Sequence, residues 1–83
     1  MGKRLDERPA LQRALDTVTG LKVGSWESVE ALALLAIEAK GRPESASLLQ
    51  DARTAAASLK SGTWESVRAL ACLARADRET AGT

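Results

Sequence analysis

Catalytic chemistry requires residue types that this sequence does not combine in any workable arrangement. The chain has no His and one cysteine, Cys72, so a serine or cysteine nucleophile would lack its usual base. Acidic pairs such as Glu27 and Glu30 are typical of solvated helix faces rather than of acid/base catalysis. Glycines stand singly, without a GxGxxG motif or a phosphate-binding loop. We therefore predict that the chain is not an enzyme and uses no metal, cofactor or small-molecule substrate.

The charge balance bears on the class of partner. Twelve basic and eleven acidic residues leave a net charge of +1, whereas nucleic-acid binders usually carry a clear basic excess. Phe and Tyr are absent and there are two Trp, so aromatic platforms for stacking bases are missing as well. We expect no nucleic-acid partner, although a nucleic-acid-binding regulator stays as a third, less favoured alternative.

The sequence carries no hydrophobic segment of membrane-spanning length. An apolar run of about 18 residues would be needed, and the charged N-terminal residues do not resemble a signal peptide. A single cysteine also fits a reducing compartment. The expectation is a cytoplasmic protein with no membrane partner.

An internal repeat organises the chain. Residues 21–36 read LKVGSWESVEALALLA and residues 59–74 read LKSGTWESVRALACLA, with twelve identities in sixteen positions at a spacing of 38. Upstream, each copy begins with Arg-Pro, at residues 8–9 and 42–43. Self-similarity of this kind marks a duplicated structural unit. We predict one domain, 1–83, built from a repeat near 8–40 and a repeat near 42–78.

The residues between the apolar segments indicate where helices stop and start. Gly24 and Gly62 suit a left-handed residue that closes a helix. Ser25 and Thr63 follow as predicted N-caps, since their side chains can accept a hydrogen bond from the first turn. Strand signals are absent, and the connections are short enough to make consecutive helices antiparallel. The predicted helices lie near 7–22, 26–40, 44–60 and 64–77.

These features define the predicted fold class. It is all-α, with four antiparallel helices in two tandem helix-turn-helix repeats, arranged either as an α-solenoid or as a four-helix bundle. Apolar residues cover about 200° of helix 2, counting 100° per residue, so this helix needs neighbours on two sides. Helix 4 keeps the first half of that pattern and then turns polar at Arg75 and Asp77, which predicts a sealed outer end. The predicted leucine core is Leu32, Leu35, Leu70 and Leu73.

The two tryptophans occupy equivalent repeat positions. Trp26 and Trp64 lie within the apolar arcs of their helices, so we expect both to pack against the preceding helix in superposable environments. The alternative is that they are anchors for a protein partner.

The helical pattern is similar to a known class of repeat. Short helix pairs with an Ala-Leu-x-x-Leu-Ala register resemble tetratricopeptide-like and HEAT-like α-solenoid repeats, although the period is 38 rather than the 34 of the tetratricopeptide repeat. The resemblance implies protein–protein binding along a helical surface. The residues that carry it are Trp26, Ala31, Leu32, Leu35, Ala36, Gly41, Ala46, Leu49, Ala52, Ala56, Trp64, Ala69, Leu70, Leu73 and Ala74.

A semi-apolar position on the polar side of the first helix of each repeat predicts a binding strip. Leu34 falls among glutamates on helix 2, and Cys72 takes the equivalent place on helix 4. An isolated exposed leucine is common, so this strip competes with a plain solvated face. The predicted protein-binding residues are Glu27, Glu30, Leu34, Glu65, Arg68 and Cys72.

The sequence thus favours a non-catalytic helical-repeat module for protein–protein interaction or self-assembly, with another protein or its own copy as partner. Two repeats are fewer than stacked arrays usually need, which favours self-association. A two-fold homodimer would set Glu30 near Arg68 of the second copy and pack Leu34 on Cys72 or on its own counterpart. The alternative is a small four-helix-bundle subunit with a regulatory or accessory role.

Overall fold

A computed structural model describes residues 5–81 and shows four helices, with no strand within that range. The helices are α1 (Ala10–Val18), α2 (Trp26–Glu38), α3 (Glu44–Ser58) and α4 (Trp64–Thr80). The all-α fold class and the order of helices are confirmed. We call α1 with α2 the first unit, and α3 with α4 the second unit.

Both units begin their repeated helix with the same hydrogen-bonded cap. The Ser25 hydroxyl accepts from the Ser28 backbone N–H at 3.1 Å, and the Thr63 hydroxyl accepts from the Ser66 N–H at 3.0 Å. In return, the hydroxyls of Ser28 and Ser66 accept the backbone N–H groups of the two capping residues. These reciprocal capping boxes satisfy donors that an isolated helix start leaves open. The predicted N-caps are confirmed.

The first helix is shorter than the predicted span of 7–22. It begins after Pro9 and ends at Val18. Thr17, Val18 and Thr19 are β-branched and Gly20 follows them, so helix propensity is low where the helix ends. Leu21, which falls inside the predicted helix, lies beyond the end of α1 and is 63% exposed.

The two repeat glycines were predicted to be left-handed residues that close a helix. Only the positive φ holds, and only at Gly62, because α3 has already ended at Ser58 and Gly62 closes no helix. Gly62 has a φ of 149°, and Gly41, before α3, has a φ of 90°. A side chain would strain either conformation, which accounts for glycine at both places. Gly24 does not have a positive φ, so the left-handed prediction for it was wrong. Because α1 has already ended at Val18, Gly24 closes no helix.

The central element of the fold is α2. It packs extensively against both α3 and α4, whereas α1 with α2, and α3 with α4, contact each other over shorter stretches. Alanines with no exposed surface occur on three of the helices and at the C-cap of α2, and such small side chains let helix axes approach closely. These alanines are Ala33, Ala36, Ala39, Ala52, Ala69 and Ala76.

Polar contacts fix the second unit internally and against α2. The buried Ser45 hydroxyl donates to the Ala36 carbonyl oxygen at 2.8 Å, which joins the start of α3 to α2. The guanidinium Nε of Arg53 donates to Asp77 at 3.1 Å and links α3 to α4. Among the described residues, no buried side-chain polar atom lacks a hydrogen-bond partner, as expected of a well-formed core.

Exposed ion pairs hold the segment before α1. Arg8 contacts both Asp6 and Asp16, and Arg13 lies 3.2 Å from Asp6. The hydrogen bonds from Arg8 lower the pKa of Asp6 from 3.8 to about 2. This segment is therefore joined to the polar side of α1 by charge rather than by apolar packing.

None of the helices described between residues 5 and 81 is long and apolar enough to cross a membrane.

Candidate protein-binding surface

The two equivalent tryptophans lie in opposite environments. Trp26 is 8% exposed, and its indole N–H donates to the Lys60 carbonyl oxygen at 3.0 Å. Trp64 is 87% exposed. The prediction of superposable environments was therefore wrong. The reason is that α3 and α4 flank α2, whereas no described helix lies on the corresponding side of α4.

The difference extends along one whole side of each helix. The α2 face consists of Trp26, Val29, Leu32, Ala33 and Ala36, all of them buried. The α4 face consists of the residues 38 positions later, which are Trp64, Val67, Leu70, Ala71 and Ala74. All five residue types are identical in the two faces, yet every residue of the α4 face is exposed. The α4 face is thus a core-type surface open to solvent.

The predicted leucine core needs one correction. Leu32 and Leu73 are buried as expected, and Leu35 is half-buried against the core. Leu70 is 38% exposed because it belongs to the α4 face. Helical-wheel arithmetic places Leu70 correctly on an apolar side, but it does not show whether a neighbour covers that side.

The polar residues near the end of α4 do not seal this surface. Asp77 is engaged with Arg53 of α3, and Arg75 is exposed. Both follow the last residue of the α4 face in sequence, so the first three turns of the helix remain open. The predicted sealing concerned the polar second half of α4, and it does not extend to these first three turns.

A second open apolar surface lies between α1 and α2. This α1–α2 groove has a volume of about 560 Å³. Ala14, Val18 and Leu21 line one wall, and Leu34 and Leu35 line the other. Its lining is mainly apolar, so it suits hydrocarbon side chains of a partner better than a charged ligand.

The structure brings five of the six predicted binding residues together. They surround a shallow depression of about 350 Å³ between α2 and α4, and they are Glu27, Glu30, Leu34, Glu65 and Arg68. Glu27 and Glu65 lie in the first turns of their helices, where the helix dipole favours an acid. The sixth residue, Cys72, does not line this depression and packs partly against the core.

The charge pair expected between two copies already exists within one chain. The Arg68 Nε atom lies 3.3 Å from the Glu30 Oε1 atom. Because these residues are 38 positions apart, the pair joins equivalent positions of neighbouring repeats. The pair therefore shows that α2 and α4 lie side by side, with equivalent positions of the two repeats next to each other.

No protein-family model, curated protein or solved structure matches this chain. Between residues 5 and 81, no group of three or more His, Cys, Asp or Glu side chains is placed to hold a metal ion. The α4 face and the α1–α2 groove are two open apolar surfaces of the described residues.

Sequence reasoning missed the main exposed surface, although the repeat contained the signal for it. In α2, the face headed by Trp26 is buried against the helix pair that follows. Within the described residues, no helix pair follows α4. The α4 face has the same residue types as the α2 face, but it is exposed because no described helix packs against it.

Proposed function

We propose that this chain is a non-catalytic helical-repeat module that binds protein through the α4 face. The observation that carries the proposal is the exposure of Trp64, Val67 and Leu70 together on one side of one helix. Contiguous apolar surface of this kind is typical of binding sites, and tryptophan is enriched among the residues that dominate interface energies.

The α2 face supports a protein partner rather than another ligand. The same five residue types, in the same helical positions, are covered by helices within this molecule. A helical partner therefore matches the α4 face in shape and chemistry, by the general mode in which apolar helix surfaces pack together.

The charges beside the α4 face also favour protein over nucleic acid. Glu65 and Arg68 flank it with opposite signs, and the whole chain has a net charge of only +1. A phosphate backbone would meet repulsion from Glu65 as well as attraction from Arg68. A protein surface with mixed charges fits this rim better.

The resemblance to tetratricopeptide-like and HEAT-like repeats is part of the proposal. Such repeats bind protein along stacked helices, and the unequal cover of α2 and α4 is what stacking of successive units produces at an end. We expect the module to work in the cytoplasm, because its unpaired Cys72 fits a reducing compartment.

Site-specific photo-crosslinking in the host cell tests this function. A photoreactive amino acid replaces Trp64 on the α4 face, and a matched control carries it at Thr54, an exposed position on α3. We expect a light-dependent covalent adduct with protein at position 64 and none at position 54. Absence of any protein adduct at position 64, or adducts of equal yield at both positions, would overturn the proposal.

A further inference from the structure

The packing inside one chain shows how the α4 face can be covered. The second unit receives α2, which contacts α3 and α4 far more extensively than those two helices contact each other. The α2 face is buried in this arrangement, and Trp26 donates its indole hydrogen bond to the Lys60 carbonyl just after α3. The molecule thus contains one complete example of this packing, in which the α2 face is covered by α3 and α4. We call this contact the internal junction.

The first unit repeats the receiving surface of the second. At the spacing of 38, α1 corresponds to residues 48–56 of α3, and identity extends upstream of the sixteen-residue repeat to Leu11 with Leu49, Gln12 with Gln50 and Ala14 with Ala52. The short contact between α1 and α2 also matches the short contact between α3 and α4. The α1–α2 groove is therefore the counterpart of the surface that holds α2.

The lining of the groove agrees with this correspondence. Four of its lining residues, Ala14, Leu21, Ala31 and Leu35, have identical counterparts in the second unit at positions 52, 59, 69 and 73. Those counterparts are buried or half-buried against the core. In the first unit, Leu21 is 63% exposed because no described helix covers it. Both sides of the internal junction therefore have uncovered counterparts. The α4 face is the counterpart of the α2 face, and the α1–α2 groove is the counterpart of the surface that holds α2.

We propose that a second copy of this chain binds head to tail, with the α4 face of one copy lying in the α1–α2 groove of the next. This inference rests on the proposed function, because it names the occupant of the same α4 face. By the internal precedent, the Trp64 indole N–H of one copy donates to the Lys22 carbonyl oxygen of the next. Lys22 is the counterpart of Lys60, 38 residues earlier.

Charge complementarity supports a second copy as the occupant. Inside one chain, Glu30 of the first unit pairs with Arg68 of the second. A head-to-tail junction places Arg68 of one copy beside Glu30 of the next, so opposite charges meet again at the equivalent point. A junction built from like charges would oppose assembly, whereas this one continues an alternating ladder.

The same geometry distinguishes this assembly from a two-fold dimer. A head-to-tail contact uses two different surfaces, so each added copy leaves one of each surface open and growth continues or closes into a ring. A two-fold contact uses one surface twice and stops at two copies. The measured molecular mass at rising concentration therefore separates the two arrangements.

Complementation between two full-length variants tests the inference. Val67→Glu places a charge on the α4 face, and Leu34→Glu places one in the α1–α2 groove. Both positions are exposed, so we expect both variants to keep the wild-type helix content by circular dichroism. Light scattering should show that wild-type mass rises past two chains with concentration, and that each variant alone stays monomeric. An equal mixture should give a mass of two chains and nothing larger.

The reason for the stop at two chains is specific to the head-to-tail contact. The Leu34→Glu chain keeps an intact α4 face and the Val67→Glu chain keeps an intact groove, so one junction forms and no further one can. The control variant Thr54→Glu places a charge at an exposed position of α3, outside both surfaces, and it should assemble like the wild type. A monomeric wild type, a wild type that stops at two chains, or a mixture that stays monomeric would each overturn the inference.

A charge exchange gives a second, independent measurement. Arg68→Glu and Glu30→Arg should each weaken assembly, and the double variant should recover part of the loss because it restores opposite charges at every junction. A double variant that assembles no better than either single variant would show that these residues are not neighbours across the junction. If both tests fail while the photo-adduct at position 64 contains another protein, the proposed function stands and the occupant is that protein.

Discussion

Two helices of this molecule, α2 and α4, have the same five residue types on one face and the same helix cap, but their surroundings differ. Both start with a reciprocal capping box, and both present Trp, Val, Leu, Ala and Ala on one side. In α2 this side is core, and in α4 it is surface. The comparison shows that the local sequence determines where a helix begins and which of its sides is apolar. The helices that pack against it determine which of its residues are buried.

The largest expected effect separates the two faces by stability. Leu32→Ala should cost on the order of 2–5 kcal/mol, because Leu32 is 2% exposed and its removal leaves a cavity. The matched change Leu70→Ala should cost roughly 1–2 kcal/mol, because 38% of Leu70 is already exposed to water. Chemical unfolding of dilute, monomeric protein measures both losses. Equal losses would show that the α4 face is covered within the chain.

Removal of the N-cap side chain should destabilise the protein equally in the two repeats. Ser25→Ala and Thr63→Ala should each cost about 1 kcal/mol, because each removes the side chain that caps its helix. The exchanges Ser25→Thr and Thr63→Ser keep the hydroxyl and serve as controls with small losses. Thermal unfolding gives the four values. A large loss at one cap and none at the other would mean that the two helix starts are not equivalent, which the comparison requires.

A smaller effect concerns the indole hydrogen bond. Trp26→Phe should cost about 0.5–1.5 kcal/mol, because it removes the donor to the Lys60 carbonyl while keeping an aromatic ring. Trp64→Phe should leave the stability of the monomer unchanged, since the Trp64 ring is exposed. Both values come from the same unfolding experiment. A loss at Trp64 as large as that at Trp26 would contradict the difference between the faces.

The smallest effect concerns the ion pairs that join α1 to the segment before it. The folded-state pKa of Asp6, about 2, lies below its ordinary value of 3.8. Asp6 therefore contributes stability above about pH 4, and the contribution is lost as the pH falls toward 2. The melting temperatures of wild type and Asp6→Asn should differ slightly near neutral pH and converge near pH 2. A difference that grows on acidification would reverse the expected sign. The effect is small because these charges are exposed to solvent.

Much of the fold follows from short-range sequence. Ser25 and Thr63 fix the starts of α2 and α4, and Gly41 with Pro43 fixes the boundary before α3, because capping and backbone constraints act within a few residues. The early end of α1 was missed, since the apolar stripe continues to Leu21 after the β-branched residues and Gly20 have ended the helix.

The candidate site was predictable only in part, for a physical reason. Glu30, Leu34 and Arg68 were selected by comparison of the repeats, and they do lie together. Trp64 and Leu70 were assigned to the core because periodicity reveals which side of a helix is apolar. It does not reveal what packs there. That depends on contacts between units, which the pattern within a single helix does not encode.

The most direct test of the difference between the two faces is tryptophan fluorescence of two single-tryptophan chains. Trp26→Phe leaves Trp64 as the one reporter, and Trp64→Phe leaves Trp26. In dilute solution, Trp64 should emit at long wavelength and be strongly quenched by iodide, whereas Trp26 should emit at shorter wavelength and be protected. On concentration, Trp64 should shift to shorter wavelength and lose its quenching, while Trp26 should not change. Equal emission and equal quenching of the two reporters in the dilute monomer would show that the α2 face and the α4 face are equally covered.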